Sequence, residues 1–304
     1  MRLGHGGACL QRGRCPALVS GAVSEAAKPL GPDQVELGNG VTMPPIGYGT
    51  WPIGDREAEP MVAAAIAAGY QLIDTAELYR NEAGVGRGIR ASGVDREEVF
   101  VTTKLGQRSH GRVEAQRAFA DSASRLGLEY IDLFLIHWPN PDLGRYVDAW
   151  RGMVELLEQG VVRAIGVSNF KTAHLQRLVE ETGVTPHVNQ IQLNPWVPRL
   201  AEREYHRAHD IVTESWAPIG KGGGLLDDPV ITGLASMHDR TPAQIVIRWH
   251  LQLGLVPIPK TANPRRMLEN IDVFDFALAD EEMDLIATRN RGGRGAVDSD
   301  HTGL

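Results

Sequence analysis

Short apolar runs alternate with amphipathic stretches along nearly the whole chain, and this alternation is the strongest constraint on its fold. The runs occupy residues 46–49, 71–74, 99–104, 131–137, 161–168, 187–192, 211–216 and 255–259. Several are continuously apolar, as in Ile131-Asp132-Leu133-Phe134-Leu135-Ile136, and strands buried on both faces read this way. Between them the period changes. Trp150, Met153, Val154 and Leu157 fall at helical spacing, as do Leu175, Leu178, Val179 and Thr182. Thr241-Pro242-Ala243-Gln244 is a capping box with proline at the first helical position, and Asn263-Pro264 opens a further helix. Gly69, Gly127, Gly160 and Gly183 end the helices before them. Eight strand–helix units in series predict an α/β fold, a closed parallel (β/α)8 TIM barrel. Asn39-Gly40, between two apolar-alternating arms, predicts an N-terminal β-hairpin closing the bottom of that barrel.

An open doubly wound sheet is the competing topology. It requires a glycine fingerprint after the first strand. The nearest match, Gly84-Val85-Gly86-Arg87-Gly88, has the wrong spacing and follows Asn81-Glu82 in a helical context. A single barrel domain over residues 34–304 accounts for the pattern. Residues 1–33 are Gly/Arg-rich and aperiodic, and read as a disordered extension or an upstream start site. Both cysteines, Cys9 and Cys15, lie there, so the body uses neither disulfides nor thiolate metal ligands, which fits a reducing cytoplasm. No metal site is expected. A net charge of −7 with interspersed signs gives no nucleic-acid footprint, and no apolar run approaches membrane-spanning length. Nothing demands assembly, so a monomer is expected.

In such a barrel the strand C-termini form the active face. Asp74, Lys104 and His137 each stand directly behind apolar chain, at three successive strand ends. Ser168, Asn169, Gln190, Asn194, Trp216 and Lys260 hold similar positions. Taken singly, each has an ordinary structural reading. Taken together they predict one convergent mouth, in which Asp74 and Lys104 neutralise each other. Tyr79 follows Asp74 closely in the chain. A phenol titrates near pH 10, and a neighbouring ammonium draws that value down. Tyr79 beside Lys104 is thus a tuned proton donor, with His137 placed to orient a carbonyl. Such a site protonates oxygen but needs a separate hydride source. A Schiff-base lysine at position 104 and a non-catalytic dinucleotide-binding module are the rival readings.

Three separated motifs resemble the aldo-keto reductase superfamily. Gly69-Tyr70-Gln71-Leu72-Ile73-Asp74-Thr75-Ala76-Glu77-Leu78-Tyr79 is similar to its first signature, and Ile165-Gly166-Val167-Ser168-Asn169-Phe170 to the second. Ile258-Pro259-Lys260-Thr261, followed by Asn263-Pro264, Arg266, Glu269 and Asn270, is similar to the third. The loop 218–229, His137-Trp138-Pro139-Asn140 and the short tail look most like bacterial reductases of the 2,5-diketo-gluconate type.

The resemblance implies a catalytic tetrad of Asp74, Tyr79, Lys104 and His137, with Tyr79 as general acid. It implies NADPH as cofactor, its nicotinamide amide held by Ser168, Asn169 and Gln190 and its ring stacked on Trp216. Gly49 and Thr50 would line the cofactor cavity. Pro218, Ile219, Gly220 and Lys221 begin a glycine-rich loop able to cover the pyrophosphate, although a plain surface loop has the same composition. Lys260, Thr261 and Arg266 would hold the adenosine 2′-phosphate, with Glu269 and Asn270 completing the set. Arg266 also sits in the first turn of a helix, where anions bind. A solvated basic helix start is the alternative for Arg265 and Arg266. Trp51 and Trp138, with Tyr79 and His137, would wall a pocket for an aldehyde, ketone or diketo sugar acid. Two departures stand out: Arg80 follows Tyr79 where many relatives have glycine, and Trp216 replaces the more common tyrosine.

Overall fold

The computed structural model describes Met1 and residues 34–301. The expected extension over residues 1–33, with Cys9 and Cys15, therefore lies outside the described residues apart from Met1.

Two short strands, β1 (Val35–Glu36) and β2 (Thr42–Met43), pair antiparallel. Leu37 N–H donates to Val41 C=O at 2.7 Å, and Gly40 adopts φ 81°. Asn39-Gly40 thus sits in a three-residue hairpin loop whose last residue must be left-handed, which explains a glycine there.

Eight parallel strands follow. They are β3 (Gly47–Gly49), β4 (Leu72–Asp74), β5 (Phe100–Leu105), β6 (Ile131–Ile136), β7 (Val162–Ser168), β8 (Val188–Gln192), β9 (Val212–Trp216) and β10 (Val256–Ile258). Each pairs with its neighbour in sequence. The ring closes where Gly49 N–H donates to Pro259 C=O at 3.0 Å. Every predicted strand is present and each boundary falls within one residue of the apolar run that foretold it.

Helices α1 (Asp55–Ala67), α2 (Glu82–Ser92), α3 (Arg112–Leu126), α4 (Tyr146–Glu158), α5 (Thr172–Thr182) and α6 (Leu200–Ala208) each connect one strand to the next. Two helices, α7 (Pro229–Met237) and α8 (Pro242–Gln252), lie between β9 and β10. Helices α9 (Pro264–Ile271) and α10 (Asp280–Ala287) follow β10. The predicted caps form: Thr241 and Gln244 make a reciprocal box, and Asn263 Oδ1 accepts from the N–H groups of Arg265 and Arg266. The Gly84-Val85-Gly86-Arg87-Gly88 stretch lies inside α2, and its glycines serve packing. A Cβ on Gly84 would stand 1.9 Å from Asp55 O, and one on Gly86 1.9 Å from Leu126 O.

The core has two shells. Within the barrel, Leu72, Phe100, Leu133, Leu135, Ala164, Val188, Val256 and Ile258 pack together with Leu37 and Met43 of the hairpin. The hairpin is thus a plug whose apolar side chains close the barrel at the end where its strands begin. Outside the barrel, residues of opposite parity such as Ile73, Val101, Phe134, Ile165 and Val167 pack against α1–α5. Burying the strands on both faces is what made their sequences continuously apolar.

Candidate active site

The inward-facing residues of each strand recur every second position. At the strand C-terminal ends that parity changes from apolar to polar. Leu72 gives way to Asp74, Phe100 by way of Thr102 to Lys104, Ala164 and Gly166 to Ser168, and Val188 to Gln190. The predicted convergence of Asp74, Tyr79, Lys104 and His137 is present. Lys104 Nζ lies 2.6 Å from Asp74 Oδ1, donates to Thr75 C=O at 2.9 Å, and stands 3.4 Å from the Tyr79 hydroxyl. Tyr79 lies edge-on to His137, with ring centroids 5.5 Å apart. A short 3-10 turn over Glu77–Tyr79 delivers the phenol, and it ends on Arg80 in the left-handed region at φ 55°. That conformation accounts for the glycine expected there, and Arg80 carries the strain instead.

Burial governs the electrostatics. Taking the Tyr79 phenol out of water raises its pKa, Lys104 pulls it back, and Asp74 pushes it up again; the net direction is upward. This corrects the simple expectation of a phenol drawn below its usual value: the Lys104 contribution has the predicted sign, but desolvation outweighs it. Burial also disfavours the Lys104 ammonium, yet its neighbours, Asp74 foremost through both its charge and its hydrogen bond, more than offset it and favour the protonated lysine. A lysine held in its protonated form is a poor Schiff-base nucleophile, which argues against that rival. His137 is driven far below its ordinary range, first by burial and then by Lys104, so its imidazole is neutral.

One wall of the mouth is tied together by side-chain hydrogen bonds. Trp216 donates its indole N–H to Asn169 Oδ1 at 2.8 Å. Asn169 Nδ2 donates to His137 C=O and to Ser168 Oγ, each at 3.0 Å, and Ser168 Oγ donates to Gln190 C=O at 2.8 Å. The Gln190 side chain is engaged below this wall, where Nε2 donates to Asp74 Oδ2 at 2.8 Å and to Glu214 Oε2 at 3.0 Å. Thr50 is fully buried, and its hydroxyl donates to Asp74 C=O, so it fixes the strand end that carries Asp74. Gly49 shares that strand end, with Ile258 and Lys260 close to where its side chain would be. Trp51 is half exposed and leans on Tyr79 with ring centroids 5.3 Å apart, and Trp138 stacks beside His137.

Beyond Trp216 the loop folds into two 3-10 turns over Gly220–Gly222 and Leu225–Asp227. Pro218 is buried, Ile219 packs against the core, and Lys221 Nζ lies 5.4 Å from the Trp216 ring. At the third motif Thr261 and Asn270 are buried, whereas Arg266 is exposed. Arg265 pairs with Glu269 at 2.7 Å, but neither Lys260 nor Arg266 has an acidic partner among the described residues. Asn263 Oδ1 already accepts from the first amides of α9, at 2.9 and 3.4 Å. The first amides of α9 are thus partly satisfied, and the positive charge left there is that of the Lys260 and Arg266 side chains. The tetrad's unforeseen neighbour is Glu214. Its signal was parity: Val212, Glu214 and Trp216 alternate on β9, so a Trp216 at the mouth puts Glu214 inside the barrel.

A family model for the Aldo/keto reductase family matches residues 45–290. The chain is 48% identical over 258 residues to 2,5-diketo-D-gluconic acid reductase B of Corynebacterium sp., covering 85% of this chain and 93% of that protein. It is 46% identical over 273 residues to methylglyoxal reductase DkgA of Escherichia coli K12, covering 90% and 98%. Among solved structures, an aspartate-to-alanine mutant of Gox0644 in complex with NADPH superposes with a TM-score of 0.85 at 46% identity, covering 89% of this chain and 97% of that one. On its sequence, its barrel and these likenesses, the chain belongs to the aldo/keto reductase family.

Proposed function

We propose that residues 34–304 act as one catalytic domain that reduces an aldehyde, ketone or diketo sugar acid to the alcohol with NADPH, Tyr79 being the general acid. The relatives named as diketo-gluconate and methylglyoxal reductases support the carbonyl chemistry, and the NADPH-bound neighbour supports the cofactor. The observation that carries the reading is the row Asp74–Lys104–Tyr79, a buried ion pair beside a part-buried phenol, with Nζ 2.6 Å from the carboxylate and 3.4 Å from the phenol.

The residues present fit the dinucleotide. Lys260 and Arg266 are cations without acidic partners among the described residues, beside the first turn of α9, and they suit a 2′-phosphate. Ser168 and Asn169 offer polar atoms to a carboxamide, and Trp216, fixed by Asn169, offers a flat face to an aromatic ring. Gly49, Thr50, Gln190, Pro218, Ile219, Gly220, Lys221, Thr261, Glu269 and Asn270 complete the proposed cofactor cleft. When bound, NADPH supplies a hydride to the carbonyl carbon. Neutral His137 and the Tyr79 hydroxyl hold the carbonyl oxygen, with Trp51 and Trp138 walling the substrate. As negative charge builds on that oxygen, Tyr79 releases its proton to it, and the Lys104 ammonium stabilises the phenolate left behind. Asp74 keeps Lys104 charged and aimed.

The raised proton affinity of Tyr79 suits this direction of reaction, because it keeps the donor loaded across the neutral range. Tyr79→Phe removes the proton and leaves the ring. It should lower carbonyl-dependent NADPH oxidation at least 100-fold while NADPH binding, followed by quenching of tryptophan fluorescence, persists. Unchanged turnover would overturn the mechanism.

A further inference from the structure

The barrel holds a buried carboxyl that this chemistry does not use. Glu214 sits at the middle of β9, fully shielded from solvent. Its Cα partners across the sheet are Gln190 on β8 and Val256 on β10. Oε2 accepts from Gln190 Nε2 at 3.0 Å, and the same nitrogen donates to Asp74 Oδ2 at 2.8 Å. One amide therefore bridges two carboxyls. Oε1 has no hydrogen-bond partner among the described residues, and neither has Thr102 Oγ1, which shares the inward parity of β5 with Lys104. A bare, buried carboxylate oxygen is costly, whereas a proton on it removes the charge.

We propose that Glu214 is a positioning residue for the tetrad: as the neutral acid it holds Gln190 against Asp74, and as the carboxylate it sets a second negative charge beneath the Lys104 ammonium. The inference rests on the reading of Tyr79 as proton donor. The charged groups that face Glu214 are Asp74 from β4 and Lys104 from β5, while β8 and β10 present the neutral Gln190 and Val256 beside it. The facing residues of β6 and β7 are the apolar Leu133, Leu135 and Ala164, and His137 at the end of β6 is neutral. Burial first, and then the Asp74 charge, raise the Glu214 carboxyl to about 8, against the opposing pull of Gln190 and Lys104. At neutral pH the group is the acid, and it ionises as the solution turns alkaline.

The consequence falls on Tyr79. A carboxylate at Glu214 offsets the field of Lys104, so the phenol holds its proton to higher pH. Carbonyl reduction needs that proton, and alcohol oxidation needs its absence. Glu214→Gln keeps the size and the hydrogen-bonding oxygen but cannot ionise. The alkaline fall of kcat/KM for carbonyl reduction should then move to lower pH by roughly one unit, and the rise of alcohol oxidation should move the same way. The position of a limb on the pH axis does not depend on how much of the preparation is active, so a merely structural defect leaves it in place. Limbs coincident with those of the wild type would overturn the proposal.

Where Glu214→Gln fails to accumulate as folded protein, infrared titration of the wild type supplies the test. A protonated-carboxyl stretch present at neutral pH and lost on alkaline titration supports the proposal, and its absence at neutral pH overturns it. Tyr79→Phe separates the two claims. An active Tyr79→Phe enzyme defeats the proton-donor reading, whereas an inactive one with unmoved Glu214→Gln limbs defeats the role of Glu214 alone.

Discussion

Lys104 Nζ lies 2.6 Å from Asp74 Oδ1, with the lysine side chain wholly shielded from solvent and the aspartate nearly so. A pair this deep is held by mutual need: each charge is costly in the interior without the other. Asp74→Asn or Lys104→Met alone should destabilise the enzyme by about 3–5 kcal/mol, since each strands one buried charge. The double variant should cost less than the sum of the two. Urea unfolding of the three variants checks this, and additive losses would show that the pair is not coupled.

Cofactor preference should depend on Arg266 as well as Lys260. Arg265 is already neutralised by Glu269, whereas Arg266 has no acidic partner among the described residues. Arg266→Ala should raise KM for NADPH by about 10–100-fold, the worth of one charge-assisted contact. KM for NADH, which lacks the 2′-phosphate, should change far less. Added salt should narrow the gap between wild type and variant. Equal losses for both cofactors would place the phosphate elsewhere.

The barrel was legible because its strands are buried twice over, so that periodicity and apolar runs coincide with real boundaries. The convergence of Asp74, Lys104 and His137 was legible for a related reason. Asp74, Lys104 and His137 interrupt apolar chain at the end of each run, where a buried charge without a function is improbable. Glu214 shares their inward parity but lies mid-strand, so only its alternation with Trp216 marks it, and only once Trp216 is placed at the mouth. The engagement of Gln190 with Asp74, 116 positions earlier in the chain, is likewise invisible to any local pattern. The net direction of the Tyr79 shift depends on how completely the site excludes water, a property of the assembled barrel. Lys171 bridges Asp298 and Asp300 at 2.6 Å each and ties the tail to the start of α5, a link that charge pattern alone does not suggest.

Two helical glycines should respond in opposite ways to the same change. A Cβ on Gly86 in α2 would meet the backbone oxygen of Leu126 at 1.9 Å, and backbone cannot swing aside. Gly86→Ala should therefore destabilise by about 1–3 kcal/mol or more as α2 and α3 are forced apart. Gly233 in the exposed face of α7 has nothing within 4 Å of such a Cβ. Gly233→Ala should stabilise by up to about 1 kcal/mol through helix propensity. Thermal unfolding of the two variants reads both signs, and a stable Gly86→Ala protein would refute the close packing of these helices.

Acid should weaken the fold through a histidine outside the active site. His206 is buried, with Nδ1 2.8 Å from Thr213 Oγ1 and Nε2 2.9 Å from Asn189 Nδ2. Phe170 fixes the orientation of the Asn189 amide: Nδ2 donates to Phe170 C=O, and Oδ1 accepts from Phe170 N–H. Asn189 therefore presents an N–H to Nε2, and a proton there would face a donor. Burial first, and then the charge of His209, lower His206 from 6.5 to about 4. The folded value lies below the unfolded one, so between these limits the unfolded chain binds the extra proton. The contribution is complete above pH 6.5 and is lost as pH falls toward 4, at about 1.4 kcal/mol for each tenfold difference in proton affinity. His110 and His250, also buried and lowered to about 4, act in the same sense. Urea midpoints should thus fall steeply from pH 7 to 4, and His206→Gln should flatten that slope by removing one titrating group. An unchanged slope would mean that His206 carries its proton in the folded state.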